Sequence, residues 1–277
     1  MSRKVYINKI FYKKFFENGE YIKNESLIEF YQDLLKQYRM TVKEEMLEKG
    51  YQNPFIHICH SMLENINRSY LDDVDLVLLA HDTPDIDPSY STTSYLSHKF
   101  NLGSRCIAIT NLGKNVGLGA VNLAKELIKK GDFTRILILL TEQNTLPYTN
   151  EKKKFIDIGL SILLTSDSQD KEIFTIDEYD FVYFDDRERP NLEKILCKIN
   201  FDPESDLIFS NMKVEDTDQS HNKNYFSTKE SSRTLQSLMT FSEFVSQIDI
   251  KIFSKILLIE LDEYNKKIDC LKVNIER

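Results

Sequence analysis

Short apolar runs alternate with amphipathic segments along most of the chain. The runs at residues 76–79, 107–110, 136–140 and 162–164 are bounded by polar or turn-forming residues, which predicts buried strands of one sheet. Segments with apolar residues at helical spacing lie between them, such as Val116–Lys130, which stops at Gly131. This order of helices and strands predicts an α/β protein with a largely parallel, buried sheet.

The flanking segments extend the same pattern. Residues 5–12 predict a strand, Asn24 or Ser26 is placed to cap a helix, and Thr41 with Glu44 forms a capping-box pattern. The second half shows the same alternation of helices and strands, but less clearly. Helices are predicted at 191–199 and 231–247, and strands at 206–210, 255–261 and 271–275. The polar stretch 215–229 predicts a mobile loop. We therefore expect two pseudo-related halves, residues 1–166 and a shortened 167–277.

Composition narrows the class of protein. The chain has 277 residues and a formal net charge of −8, which gives it no electrostatic reason to bind nucleic acid or an anionic membrane. No apolar run approaches the roughly 20 residues that span a bilayer, and no apolar segment of a secretory signal follows the charged start. The widely spaced Cys59, Cys106, Cys197 and Cys270 are expected to be reduced, buried, structural thiols, which favours the cytoplasm.

Several phrases in the first half resemble one known family. An acidic residue, an apolar strand and a Thr-Pro-Asp turn run from Asp73 to Asp85, and a later helix carries Leu-Ala-x-x-Leu-Ile from Leu123 to Ile128. The segment 155–161, Phe-Ile-Asp-Ile-Gly-Leu-Ser, is similar to a Phe-Gly-Asp-Gly-Ala-Gly-Ala motif. The order and spacing of these phrases resemble the ketoacyl synthase III branch of the thiolase superfamily. The resemblance implies a thiolase-like, five-layered α/β/α/β/α fold.

The family's chemistry needs a cysteine at a helix N-terminus, a histidine and an asparagine. Counting along the resemblance places these three positions at Lys114, Asn211 and Ser231, so the catalytic residues are not intact. No cysteine lies between Cys106 and Cys197, and the chain contains no tryptophan, which the family uses to shape its substrate tunnel. The resemblance therefore implies a pseudoenzyme without a cofactor or a metal.

Relatives in this family work as dimers, and in some heterodimers one chain has lost the catalytic residues. The resemblance implies that this chain is a non-catalytic subunit that partners a cysteine-bearing ketoacyl synthase III-like subunit, as a heterodimer or heterotetramer, or pairs with itself as a homodimer. The pathway class would be fatty-acyl, polyketide or other secondary-metabolite biosynthesis, with acyl carrier protein or acyl-CoA as further partners. The same resemblance places the following residues at the dimer contact: Tyr90, Ser91, Cys106, Ile107, Ala108, Ile109, Thr110 and Asn111.

Two other functions stay open at this point. An acyltransferase or hydrolase with an altered site would use Lys114, whose ammonium is disfavoured at a helix N-terminus, or a shifted pair formed by His221 and Asn222. A scaffold that binds acyl carrier protein would need neither. His57 and His60 stand at helical spacing, but a metal site requires further ligands in the same place, and a half-buried helix face is the simpler interpretation.

Overall fold

A computed structural model of the chain describes residues 3–16, 24–102, 105–110, 112–148, 155–166, 174–185, 191–202, 206–212, 224–227, 232, 234–245 and 253–276. The elements up to residue 165 are β1 (Tyr6–Phe15), α1 (Glu25–Lys36), α2 (Glu44–Lys49), α3 (Phe55–Glu64), β2 (Leu76–Ala80), α4 (Thr92–Lys99), β3 (Arg105–Ile109), α5 (Val116–Lys130), β4 (Arg135–Glu142) and β5 (Asp157–Thr165). The elements after it are β6 (Phe174–Tyr183), α6 (Leu192–Lys198), β7 (Leu207–Ser210), β8 (Tyr225–Ser227), α7 (Gln236–Val245), β9 (Lys255–Asp262) and β10 (Lys267–Ile275).

The strands form two sets with the same order. The first set runs β3-β2-β4-β5-β1 and the second runs β8-β7-β9-β10-β6. In each set the two pairs nearest the outer edge are parallel and the other two are antiparallel. Within the described residues, the strand pairing between the two sets is the short one of β1 with β6, at Tyr6 with Thr175 and Ile7 with Phe174. The predicted division between residues 166 and 167 falls at the edge of a segment outside the described residues, and it stays a prediction.

Five layers follow from the way the faces of these strands are covered. The inner faces of both strand sets share one apolar core with α5 and α7, which therefore form the central layer. The outer face of the first set packs against α3 and α4, and the outer face of the second set packs against α6. Burial of these apolar faces is the main force that holds the layers together. The predicted α/β/α/β/α architecture is confirmed.

Local sequence signals explain several element boundaries. The Asn24 side chain accepts a hydrogen bond from the Leu27 N–H and begins α1, as predicted. Helix α5 ends at Gly131, whose φ of 88° lies in the left-handed region that glycine adopts without steric cost. The capping-box prediction is wrong, since α2 begins after Lys43 without a side-chain cap.

Three predictions about the sheet are corrected. The sheet is mixed and not largely parallel, because β5 and β10 run antiparallel to their neighbours. Strand β3 is not buried: it forms the outer edge of the first set, and Ile107 is 47% exposed. Strand β6 was not expected, and residues 225–227 of the predicted loop form β8.

The four cysteines are free thiols, but only Cys59 and Cys270 are buried, while Cys106 is half-buried and Cys197 is exposed. The expectation of four buried thiols is therefore wrong for these last two. Among the described helices, none is long and apolar enough to cross a membrane.

Candidate functional site

A buried carboxylate at the end of β4 holds the chain that enters α7. Glu142 is 1% exposed, and its Oε2 accepts hydrogen bonds from the Ser232 hydroxyl at 2.7 Å, the Thr234 N–H at 2.9 Å and the Thr234 hydroxyl at 2.9 Å. Its other oxygen accepts from the Asn144 amide at 3.1 Å. A buried carboxylate is tolerated when its lone pairs are used in this way. Glu142 thus ties the end of β4 to the head of the central helix from the other strand set.

Asp262 plays the corresponding part for α5. Its Oδ2 accepts from the backbone N–H of Lys114 at 3.0 Å and from the Asn265 amide at 2.7 Å. Lys114 lies in the single 3-10 turn Gly113–Asn115 that leads into α5. Gly113 has a φ of 70°, and a Cβ there would collide with Asp262 and Asn265. The residue at the predicted nucleophile position therefore contributes its backbone to a structural contact.

The predicted histidine position is also used structurally. The Asn211 amide, just after β7, donates from Nδ2 to the Leu261 carbonyl at 3.1 Å and accepts at Oδ1 from the Leu261 N–H at 2.7 Å. Leu261 precedes Asp262, so the structure brings Lys114 and Asn211 to the same end of β9. The Asn211 side chain therefore bonds to both backbone polar groups of Leu261, as a neighbouring strand would.

Asn115 was missed by the sequence analysis. It is the residue immediately before α5, it is 1% exposed, and both polar atoms of its carboxamide have no hydrogen-bond partner among the described residues. A shift of one residue in the count along the family resemblance would have put Asn115, and not Lys114, at the nucleophile position. A carboxamide is not a nucleophile at neutral pH, and neither alignment supplies the thiolate that the family uses.

The segment similar to the family's glycine-rich motif positions the neighbouring helix and loop. Asp157 is buried, and it accepts from the Asn53 N–H at 3.2 Å, the Asn53 amide at 3.0 Å and the Asn144 N–H at 2.7 Å. Burial raises the pKa of Asp157, while these hydrogen bonds oppose the rise. A Cβ on Gly159 would lie 2.8 Å from both Ile58 and Met62, so this glycine lets α3 approach β5 closely.

The predicted contact residues that the structure describes are exposed or half-buried. Tyr90 is 68% exposed, and Ser91 accepts a hydrogen bond from the Ser94 N–H as the cap of α4. In β3, Ile107 and Ala108 are exposed while Cys106 and Ile109 are half-buried. Thr110 is exposed just after the strand.

Four residues considered from the sequence lie outside the described residues: Asn111, His221, Asn222 and Ser231. Ser232, next to Ser231, is buried, and its hydroxyl accepts from the Leu235 N–H at 2.7 Å in addition to its bond to Glu142. The part of the chain that is described therefore has a serine hydroxyl near the predicted asparagine position, engaged in holding α7.

The histidine pair on α3 does not form a metal centre within the described residues, where no group of three or more potential protein ligands is found. His60 instead bonds to the Tyr95 hydroxyl at 2.7 Å and to Glu64 at 2.8 Å. His81 packs 4.7 Å from the Phe55 ring, and burial lowers its pKa. These histidines have structural partners.

The heads of α5 and α7 are therefore fixed by carboxylates and amides, and no thiol is near them. Cys59 and Cys106 belong to the outer core of the first strand set, and Cys270 belongs to the outer core of the second. Cys197 lies on α6. The Asn115 carboxamide differs from these groups, because its polar atoms have no hydrogen-bond partner among the described residues.

No protein-family model and no curated protein matches this chain. Several solved structures are similar to it in fold. ChlB3, described as an acyltransferase, superposes with a TM-score of 0.62 at 12% identity, covering 98% of each chain. A variant of OleA from Xanthomonas campestris with bound lauric acid and lauroyl-CoA gives 0.61 at 10% identity, covering 99% of this chain and 100% of that one. OleA bound to cerulenin gives 0.61 at 9%, covering 99% and 97%. These likenesses show that the chain has a thiolase-like fold.

Proposed function

We propose that this chain is a non-catalytic thiolase-fold subunit that associates with a cysteine-bearing ketoacyl synthase III-like condensing enzyme or acyltransferase. The single observation that carries the proposal is the chemistry at the head of α5. Lys114 and Asn115 stand there, and all four cysteines lie elsewhere in the fold. Since acyl transfer on this fold starts from a thiolate, the chain lacks the group that would accept the acyl chain.

The structural contacts around the helix heads are intact although the family's catalytic residues are missing. This favours a subunit with a partner over a chain that is losing its structure as well as its activity. Glu142 and Asp262 each accept several hydrogen bonds in or near the interior, and both central helices keep well-packed apolar faces. Buried carboxylates with satisfied lone pairs are sensitive to substitution, because the loss of one leaves several donors unpaired. A chain free of any structural constraint would be expected to lose such contacts first.

The exposed edge at β3 supports the choice of contact surface. An unpaired strand edge with exposed apolar side chains favours association unless it is covered. Ile107 is 47% exposed on this edge, and Leu112 just beyond the strand is 44% exposed. In this proposal a thiolase-fold partner pairs with β3, and Tyr90, which is 68% exposed, packs at or near the partner's substrate pocket.

Acyl groups are the proposed substrate class of the complex. OleA binds lauric acid and lauroyl-CoA, and ChlB3 is described as an acyltransferase, on the fold that this chain shares with them. The subunit would shape or support the pocket of its partner in fatty-acyl, polyketide or secondary-metabolite biosynthesis. Acyl carrier protein or acyl-CoA would deliver the acyl group to the cysteine of the partner.

The first experiment asks whether the chain alone forms an acyl-enzyme. The purified chain is incubated with acyl-CoA and malonyl-CoA, and intact-mass spectrometry and carbon dioxide release are recorded beside a cysteine-bearing condensing enzyme. We expect no stable adduct and no decarboxylation from the chain alone. An adduct on Lys114, or on any cysteine with turnover, would replace the proposal with an enzyme of altered chemistry.

The second experiment asks whether Tyr90 affects specificity. The chain is co-expressed with a cysteine-bearing relative, and the acyl-chain preference of the complex is compared for wild type and Tyr90→Ala. Ser89→Ala, in the same exposed loop, is the control. We expect Tyr90→Ala to broaden the preference while the complex still forms. An unchanged preference would reduce Tyr90 to a packing residue.

A further inference from the structure

Two buried carboxyl groups face each other on the inner side of the second strand set. Glu260 in β9 and Asp269 in β10 are direct partners in an antiparallel ladder, and they are 0% and 1% exposed. Directly opposed side chains lie on the same face with Cβ atoms about 5 Å apart. Leu258 and Leu271, the neighbouring pair on that face, belong to the central core. The two carboxyl groups therefore lie in the interior beside α7.

The two carboxyl groups have unequal partners. Asp269 accepts from the Tyr179 hydroxyl at 2.7 Å and pairs with the Lys267 ammonium at 2.9 Å, both through Oδ1. Glu260 accepts from the Ser237 N–H at 2.7 Å through Oε1. The second oxygen of each carboxyl group has no hydrogen-bond partner among the described residues. Asp269 therefore has a cation beside it, whereas the donor recorded beside Glu260 is the neutral Ser237 N–H.

The surroundings of Glu260 favour its neutral form. Burial raises its pKa to about 8, the negative charges of Glu142 from β4 and Asp269 from β10 add to the rise, and Ser237 of α7 opposes it. On the same face, Lys267 forms an ion pair with Asp269, and the Tyr179 hydroxyl donates a hydrogen bond to Asp269. A neutral Glu260 can donate its proton, and the second oxygen of Asp269 has no hydrogen-bond partner among the described residues.

We propose that Glu260 and Asp269 share one proton in the folded chain, and that loss of this proton admits water between β9 and the head of α7. The reason is electrostatic, since two unshared carboxylates in a dry interior repel each other and each needs solvation. The head of α7 also carries Thr234, which Glu142 holds from the first strand set. The shared proton is thus a pH-sensitive switch in the central layer, and it does not depend on the proposed subunit role.

The direction of the pH effect follows from the raised pKa of Glu260. The folded chain holds a proton that the unfolded chain releases near its ordinary value of 4.5. The contribution to stability is therefore full below that pH, and it is lost as pH rises through about 8. Glu260→Gln imitates the neutral form and removes this loss.

The direct test is infrared spectroscopy of the chain labelled with ¹³C-glutamate. We expect a protonated-carboxyl band at about pH 6 that disappears at about pH 9, and that is missing from Glu260→Gln. Absence of the band from wild type would overturn the proposal. This measurement on wild type decides the matter even if the variant fails to fold.

The second test follows Tm and hydrogen exchange against pH. We expect the Tm of wild type to fall between about pH 5 and about pH 8, and Glu260→Gln to show a clearly flatter profile. Glu178→Gln is the matched control, because Glu178 is a surface residue paired with Lys272. After correction for intrinsic rates, exchange at the head of α7 should rise with pH in wild type only. Equal profiles for wild type and Glu260→Gln would contradict the switch.

Discussion

The Asp262 carboxylate lies 3.0 Å from the backbone nitrogen of Lys114 and accepts its hydrogen bond. Glu142 makes the reciprocal contact with the Thr234 N–H at 2.9 Å. Each carboxylate ends a strand of one set, β9 or β4, and each binds an N–H two residues before a central helix associated with the other set. Each strand set therefore holds the segment that leads into the central helix of the other set.

The Glu142 contact leads to the first prediction. Glu142→Ala removes the acceptor of the buried Ser232 and Thr234 hydroxyls and leaves the Thr234 N–H with its longer bond to the Ser232 oxygen at 3.2 Å, so we expect a loss of about 3 kcal/mol in unfolding free energy. Urea denaturation followed by circular dichroism measures the change. Glu193→Ala, at an exposed position in α6, is the control. It should lower the free energy of unfolding by only a few tenths of the loss expected for Glu142→Ala. An equal, small loss of stability in both variants would show that Glu142 does not have the proposed structural role.

The contact at Gly159 leads to the second prediction. A Cβ there would lie 2.8 Å from Ile58 and from Met62, so Gly159→Ala should destabilise the fold by about 1–3 kcal/mol. Met62→Ala removes one of the obstructing side chains, and the double variant should be more stable than the sum of the two single changes implies. Gly119→Ala, 3.2 Å from the exposed Leu112, serves as the tolerated control. If the destabilisations of Gly159→Ala and Met62→Ala simply add, residues other than Met62 move to accommodate the new Cβ.

The Asp85 carboxyl group leads to the third prediction. Burial raises its pKa to about 6, although the N–H groups of Phe55 and Asp87 donate to it and oppose the rise. Its contribution to stability is full below the ordinary value of 3.8 and is lost as pH rises through about 6. The loss amounts to about 3 kcal/mol.

Asp85→Asn should therefore reduce the pH dependence of unfolding over that interval. Thermal unfolding of wild type and variant across the interval measures the difference, with Asp72→Asn, an exposed partner of Arg68, as the control. A stability difference that stays constant with pH would exclude Asp85 as the titrating group.

The edge strand leads to the fourth prediction. Ile107→Asp places a charge on the exposed edge of β3, where Ile107 is 47% exposed, and we expect it to dissociate the proposed complex at least tenfold more readily, which corresponds to about 1.4 kcal/mol. Light scattering after gel filtration measures the mass. Tyr264→Asp, at a side chain that is 87% exposed after β9, is the control for a charge at an apolar surface residue. An intact complex with Ile107→Asp would exclude β3 as the contact.

Local patterns were sufficient for much of the fold. The continuous apolar runs at 76–79 and 136–140 predicted central strands correctly, because a strand covered on both faces needs apolar side chains at most positions. Asn24 and Gly131 marked helix ends through the chemistry of their own backbone and side chain. The absence of a cysteine between residues 106 and 197 was also a property of the sequence alone.

Long-range contacts decided the rest. Strand β6 was missed because its acidic outer residues hide the buried Phe174 and Ile176, which pair with β10 and β1. The apolar run of β3 looked buried, although it forms the sheet edge, since composition does not reveal whether a second neighbour is present. The contacts of Asp262 with Lys114 and of Glu142 with Thr234 join residues that are far apart in the sequence. Glu260 and Asp269 come together because β9 and β10 pair. Only the packing of both strand sets around α5 and α7 places those groups together and removes them from water.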